Sequence, residues 1–186
     1  SVVFNGSIWV ASAMDSKIFW SADGKSWGKG TFSVTGQPAP ATPWYTLGSL
    51  LQANSSMTQD INIMSVSWNG TVFLAKAGYF GMGGSATSVT DVTSLDGKAW
   101  TLPDNVQAWE DTTQNQAFLD TIWTGTNWIS VGFNTLPVYS ATNQFGINWY
   151  TGTLKSSDSE SVGSYSDNYY TFLGIATVHT LPFTSE

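Results

Sequence analysis

The sequence predicts an all-β protein assembled from a degenerate repeat, and three observations carry that prediction. A phrase of apolar strand, glycine turn and apolar strand occurs three times. A second phrase, with Ser, Asp, Gly and Trp at fixed spacing, follows the first two copies closely and the third in reduced form. The composition is the third observation. Ten Trp, seven Tyr and ten Phe stand among β-branched and small polar residues, a mixture that favours strands and turns.

The first phrase runs from Val2 to Ala11 around Asn5-Gly6, from Val66 to Ala75 around Asn69-Gly70, and from Thr121 to Ser130 around Thr124-Gly125. The aromatic pairs Phe4/Trp9, Trp68/Phe73 and Trp123/Trp128 keep one spacing. Asn-Gly between apolar runs is a strong hairpin signal, because a tight two-residue turn needs positive φ at both positions. A weaker fourth copy is expected at Tyr169–Ala176.

The second phrase reads Ser21-Ala22-Asp23-Gly24-Lys25-Ser26-Trp27, then Ser94-Leu95-Asp96-Gly97-Lys98-Ala99-Trp100, and survives as Gly146-Ile147-Asn148-Trp149. The glycine precedes the tryptophan by the same interval in each copy. An Asp carboxylate can accept N–H groups of its own turn, and glycine supplies positive φ. These positions are therefore read as structural turns with the Trp packed beneath. A calcium role for Asp23 or Asp96 is set aside, since a hard cation wants six or more oxygens.

Between the first and second copies, residues 28–62 contain Pro38, Pro40 and Pro43 and break the strand pattern, which predicts a long surface insertion. Within it, Leu50–Gln59 could form a turn or two of helix. Residues 101–115 form a second irregular stretch, and the Ser-rich segment 155–167 a loop. The chain then divides into units of about 1–63, 64–116 and 117–166, with a partial unit at 167–186, together one repeat-built domain. Three or four short antiparallel strands per unit suggest the blades of a β-propeller, either partial or completed by oligomerisation. A β-sandwich is the alternative.

Ser-x-Asp-Gly-x-x-Trp resembles the Asp-box, or BNR repeat, of sialidase-like β-propellers, and the pairing with a preceding Asn-Gly hairpin is most like repeats in phage and giant-virus surface proteins. The resemblance covers roughly residues 1–27, 64–101 and 120–151. It departs from the usual box in lacking one residue between Asp and Gly, and Phe145 replaces the Asp in the third copy. The resemblance implies that the box is a structural turn away from any active site, and that the protein belongs to a virion or extracellular surface.

Charge excludes several function classes. Only 10% of residues are charged, against roughly 25% in ordinary domains, and the net charge is −7 with no arginine among the basic residues. A phosphate backbone would be repelled, so nucleic acid is not an expected partner. No apolar run reaches membrane-span length, and membrane insertion is not expected. Cysteine is absent, which removes disulfides and thiolate chemistry. No signal peptide is read, and the start at Ser1 fits a chain that has lost a segment or belongs to something longer. Sialidases grip a carboxylate with guanidinium groups, so that activity is not expected here. The single histidine, His179, lies in a terminal strand-like run and is read as incidental. No cofactor or metal is expected.

A glycosidase needs two carboxylates across a cleft. Glu110-Asp111, directly after Trp109 in the second irregular stretch, is the pair that stands out. Repeat positions absorb most tryptophans as core, but Trp44-Tyr45 and Trp109 fall outside the repeat. Aromatic rings on loops stack on sugars or anchor partners. Trp44, Tyr45, Trp109 and Glu110 are therefore the candidate ligand-binding residues, with lids over the sheet ends as the competing reading. Of the glycosylation sequons, only Asn54 lies outside a hairpin turn.

These readings converge on a non-catalytic structural or binding module. Its expected partners are other structural proteins, copies of itself, or glycans. A glycan-binding lectin and a propeller glycoside hydrolase are the alternatives.

Overall fold

The repeat phrases fold into strands in a computed structural model that describes residues 1–13, 15–35, 43, 45–54, 61–79, 89–102, 117–133, 138–140 and 149–151. The protein is all-β, with low helix content and almost wholly antiparallel sheets.

The first unit forms β1 (Val2–Phe4), β2 (Trp9–Ala13), β3 (Lys17–Ser21) and β4 (Gly28–Lys29), paired in sequence order. The chain continues into β5 (Thr31–Val34) and α1 (Leu47–Asn54). The second unit forms β6 (Ile61–Trp68), β7 (Phe73–Tyr79), β8 (Val89–Ser94) and β9 (Ala99–Leu102). The third forms β10 (Ala117–Trp123), β11 (Trp128–Phe133), β12 (Val138–Ser140) and β13 (Trp149–Thr151). Each unit is thus a four-stranded antiparallel meander, and β5 adds to the second one parallel to β9.

The three hairpins share one register. Phe4 faces Trp9, Trp68 faces Phe73, and Trp123 faces Trp128. Inside these pairs the N–H groups of Asn5, Asn69 and Thr124 donate to the carbonyls of Ile8, Val72 and Asn127 at 3.2, 3.2 and 2.9 Å, so the two turn residues are glycine and the one after it, one position later than Asn-Gly predicts. The difference has a local cause. Only glycine turns left-handed, at φ 96° for Gly6, 97° for Gly70 and 101° for Gly125. The residue before it instead works as a side-chain cap. Asn5 Oδ1 accepts the N–H groups of Ser7 and Ile8, both at 2.9 Å. Asn69 Oδ1 accepts those of Thr71 and Val72, at 2.9 and 2.7 Å. In the third copy the Thr124 hydroxyl accepts from Asn127 at 3.1 Å. A β-bulge also recurs at one repeat position, between Ile63 and Ser65 and between Phe118 and Asp120, bending β6 and β10 alike.

The insertion expected over 28–62 is only partly an insertion. Its beginning supplies β4 and β5, and its end supplies the start of β6. Phe32 is buried at the centre of β5, where it pairs with Trp100 of β9. The helix begins earlier than the sequence suggests, because Thr46 caps it: its hydroxyl accepts the Ser49 N–H at 3.2 Å, the usual N-cap bond. Leu47 and Leu50 then point inward, and the Leu47 N–H donates to the Ser16 carbonyl at 2.9 Å. Apolar residues in this stretch therefore complete the core, a pull stronger than the proline-rich composition beside them.

That core lies between the first sheet and the five-stranded sheet. It joins Val10 and Ile18 to Phe32, Leu47 and Leu50, and to Ile63, Val66, Phe73, Ala75, Val92 and Trp100. Each Val, Leu, Ile or Phe among them contributes about 1.5–3 kcal/mol on burial. The opening strands of the three units lie together, β6 packing against both β1 and β10. Among the described residues no ring of sheets closes.

Candidate functional site

The two described boxes fold the same way. Asp23 Oδ1 accepts the N–H groups of Lys25 and Ser26, each at 2.8 Å, while the Ser21 hydroxyl accepts from Gly24 at 2.9 Å and donates to Asp23 at 2.9 Å. Asp96 Oδ1 accepts from Lys98 at 2.8 Å and Ala99 at 2.9 Å, and the Ser94 hydroxyl accepts from Gly97 at 2.8 Å. Gly24 and Gly97 have φ of 70° and 71°. Ser and Asp thus form one cap, each oxygen serving a different part of the turn. The hydrogen bonds from Ser26, Lys25 and Ser21 lower the Asp23 pKa to about 2. For Asp96, burial pushes the carboxyl up, but the backbone donors Ala99 and Lys98, the Ser94 hydroxyl and the Lys98 charge together outweigh it, and the net shift is downward.

The boxes differ in what covers them. Trp100 is fully buried and donates from Nε1 to the Gly97 carbonyl at 3.2 Å. A Cβ on Gly97 would lie 2.7 Å from both Ile8 Cδ1 and Val10 Cγ2 of the first unit. At Gly24 the nearest atom to such a Cβ is Trp9 Nε1, at 3.6 Å. Trp27 is 43% exposed and Trp9 39%. The expectation that the box and hairpin tryptophans are all core is therefore wrong for the first unit. The second box is sealed by the first unit, and no described residue seals the first box in the same way.

Sequence reasoning missed a buried charge pair. Lys76, in the middle of β7, lies opposite Ser65 on β6 and Asp91 on β8. Its Nζ stands 2.9 Å from Asp91 Oδ1, with the two side chains 2% and 11% exposed. Burial pushes the Lys76 pKa down, and the Asp91 carboxylate pulls it part of the way back. The Ser65 hydroxyl is wholly buried beside this row without a hydrogen-bond partner. A serine opposite a lysine has the elements of an activated nucleophile, but here the ammonium is engaged by Asp91 and the hydroxyl is closed to solvent. The arrangement instead pins the β6–β7–β8 register. The signal in the sequence was a lone lysine within the apolar run Val72–Tyr79, followed by Asp91 on the next strand.

Of the expected ligand-binding residues, Tyr45 is described. It lies just before α1 and is 46% exposed. Trp44, Trp109 and Glu110 lie outside the described residues, as do Gly146, Asn148 and His179. Trp149 opens β13 and pairs with Ser140. Among the described residues no group of acidic or histidine side chains is arranged to hold a metal ion. No protein-family model, curated protein or solved structure matches this chain.

Proposed function

We propose that this chain is a non-catalytic structural or binding module of a virion or extracellular surface, built from Asp-box-like units that serve as propeller blades. The observation that supports it best is the use made of the box carboxylates. Asp23 and Asp96 are both committed to the N–H groups of their own turns, which is a scaffold role. The three antiparallel meanders, with their opening strands together, support the blade reading, since a propeller repeats such sheets around a central axis. The weakly charged surface suits contact with uncharged ligands or structural neighbours rather than polyanions.

In this reading the units are scaffold and the loops between them carry recognition. Trp44, Tyr45, Trp109 and Glu110 are the proposed contacts for glycans or neighbouring structural proteins. A glycan array and binding to host cells, run beside a glycoside turnover assay, test the reading. The expected result is binding or assembly without turnover, weakened in Trp44→Ala and Trp109→Ala variants that remain folded. Turnover lost on Glu110→Gln would replace the module with the hydrolase alternative.

A further inference from the structure

Four steps in the chain place an Asn or Asp directly before a left-handed glycine. They are Asn5-Gly6 and Asn69-Gly70 at the hairpin tips, and Asp23-Gly24 and Asp96-Gly97 at the boxes. All four share one cap, in which Oδ1 accepts the N–H groups of the two residues after the glycine. The glycine N–H separates the two kinds. At the boxes it is taken, donating from Gly24 to Ser21 Oγ at 2.9 Å and from Gly97 to Ser94 Oγ at 2.8 Å. At the tips, the Gly6 and Gly70 N–H groups donate to no described residue. Both tip glycines are exposed, and a Cβ on either would meet nothing within 4 Å.

We infer that Asn5 and Asn69 are sites of spontaneous deamidation in the folded chain, with the hairpin turn itself assisting the reaction. The Gly6 amide nitrogen attacks Cγ of Asn5 as its proton passes to hydroxide. The new N–Cγ bond closes a succinimide ring. The Cγ–Nδ2 bond breaks, and Nδ2 takes a proton from water and leaves as ammonia. Water then opens the ring at one carbonyl to give aspartate, or at the other to give isoaspartate. During the attack negative charge gathers on Oδ1, where the Ser7 and Ile8 N–H groups already point from 2.9 Å. Donors placed in advance around a developing oxyanion lower the barrier to its formation. Asn69 has the same arrangement, with the Thr71 and Val72 N–H groups at 2.9 and 2.7 Å. Glycine, having no Cβ, leaves nothing on the attacking residue to obstruct the approach.

At the boxes the same reaction is blocked twice. Ser21 and Ser94 engage the glycine N–H groups. Asp23 and Asp96 also titrate below the ordinary carboxyl value, so both stand ionised near neutral pH, and an ionised carboxylate resists attack by nitrogen. In the third unit Thr124 offers no carboxamide. The two tips differ in what conversion disturbs. Isoaspartate lengthens the main chain by one atom inside the Phe4/Trp9 or the Trp68/Phe73 pair. Phe4 and Trp9 are exposed, whereas Val72 and Phe73 are buried. Conversion at Asn69 should therefore lower the thermal midpoint more than conversion at Asn5.

The test incubates the full chain near neutral pH at physiological temperature, folded and, in parallel, unfolded in guanidinium chloride. Peptide mass mapping reads a gain of about one dalton per converted site, and labelling with an isoaspartyl methyltransferase locates isoaspartate. Asn5 and Asn69 should convert in the folded chain at least as fast as in the unfolded one. Asp23 and Asp96 should accumulate isoaspartate only on unfolding. Asn5→Gln, whose longer side chain must close a larger ring, should silence the first tip and leave the second unchanged, with circular dichroism checking the fold. If either asparagine converts more slowly folded than unfolded, the cap is a lock and the inference is overturned. Isoaspartate forming at the folded boxes as fast as at the tips overturns it as well.

Discussion

At the scale of single residues, the box separates two demands that usually coincide. Gly24 and Gly97 adopt nearly the same left-handed φ, yet only Gly97 is pressed by a neighbouring unit. Gly24→Ala should therefore cost about 1–2 kcal/mol of backbone strain, measured by urea denaturation. Gly97→Ala should cost clearly more, since Ile8 and Val10 must move as well. Asp96→Ala removes an acceptor shared by two backbone N–H groups and should cost roughly 1–2 kcal/mol. Both box aspartates have folded pKa values below the unfolded one. Their contribution is then complete above about pH 4, the ordinary carboxylate value, and is lost as pH falls through the folded values, near 2 for Asp23. A urea midpoint that falls between pH 4 and pH 2, with a smaller fall in an Asp23→Asn variant, checks the sign.

At the scale of elements, the local signals were legible and the long-range ones were not. Asn-Gly and the Ser-x-Asp-Gly phrase mark hairpin and box because their chemistry is confined to a few adjacent residues. The parallel pairing of β5 with β9 joins residues far apart in sequence, and nothing within Thr31–Val34 announces its partner. Phe32 was hidden for the same reason, and Trp27 was misjudged because burial depends on what the neighbouring unit supplies. The loop cluster around Trp109 rests on composition alone. Lys76 illustrates a signal present but unused: a buried cross-strand pair needs both its members. Asp91→Ala should destabilise by about 3–5 kcal/mol by stranding the ammonium, whereas Lys76→Met combined with Asp91→Leu should recover most of that loss. Chemical denaturation of the single and double variants distinguishes a register pin from a site under functional constraint.

At the scale of the whole molecule, the first two units share one core and should unfold together. Tryptophan fluorescence, which sums over the ten tryptophans including buried Trp100, and far-UV circular dichroism should give coincident transitions. Val10→Ala removes methyl groups that face the second unit's turn, at a cost of about 2 kcal/mol. Hydrogen exchange should then accelerate at the Gly97, Lys98 and Ala99 amides, although the substitution lies in the first unit. Unchanged exchange at those amides would mean that the units are energetically independent despite their contact.

The parallel pair of β5 and β9 also bears on how the protein responds to tension. Thr31 lies beside Ala99 and Val34 beside Leu102, so a pull toward the N-terminus enters β5 at Thr31 while a pull toward the C-terminus leaves β9 at Leu102. The two loads arrive at opposite ends of the pair, and its hydrogen bonds are sheared together instead of peeling apart singly. A hairpin pulled at its open end, such as β1 with β2, would unzip one bond at a time. Stretched from its ends, the protein therefore carries a mechanical clasp at the join between its first two units.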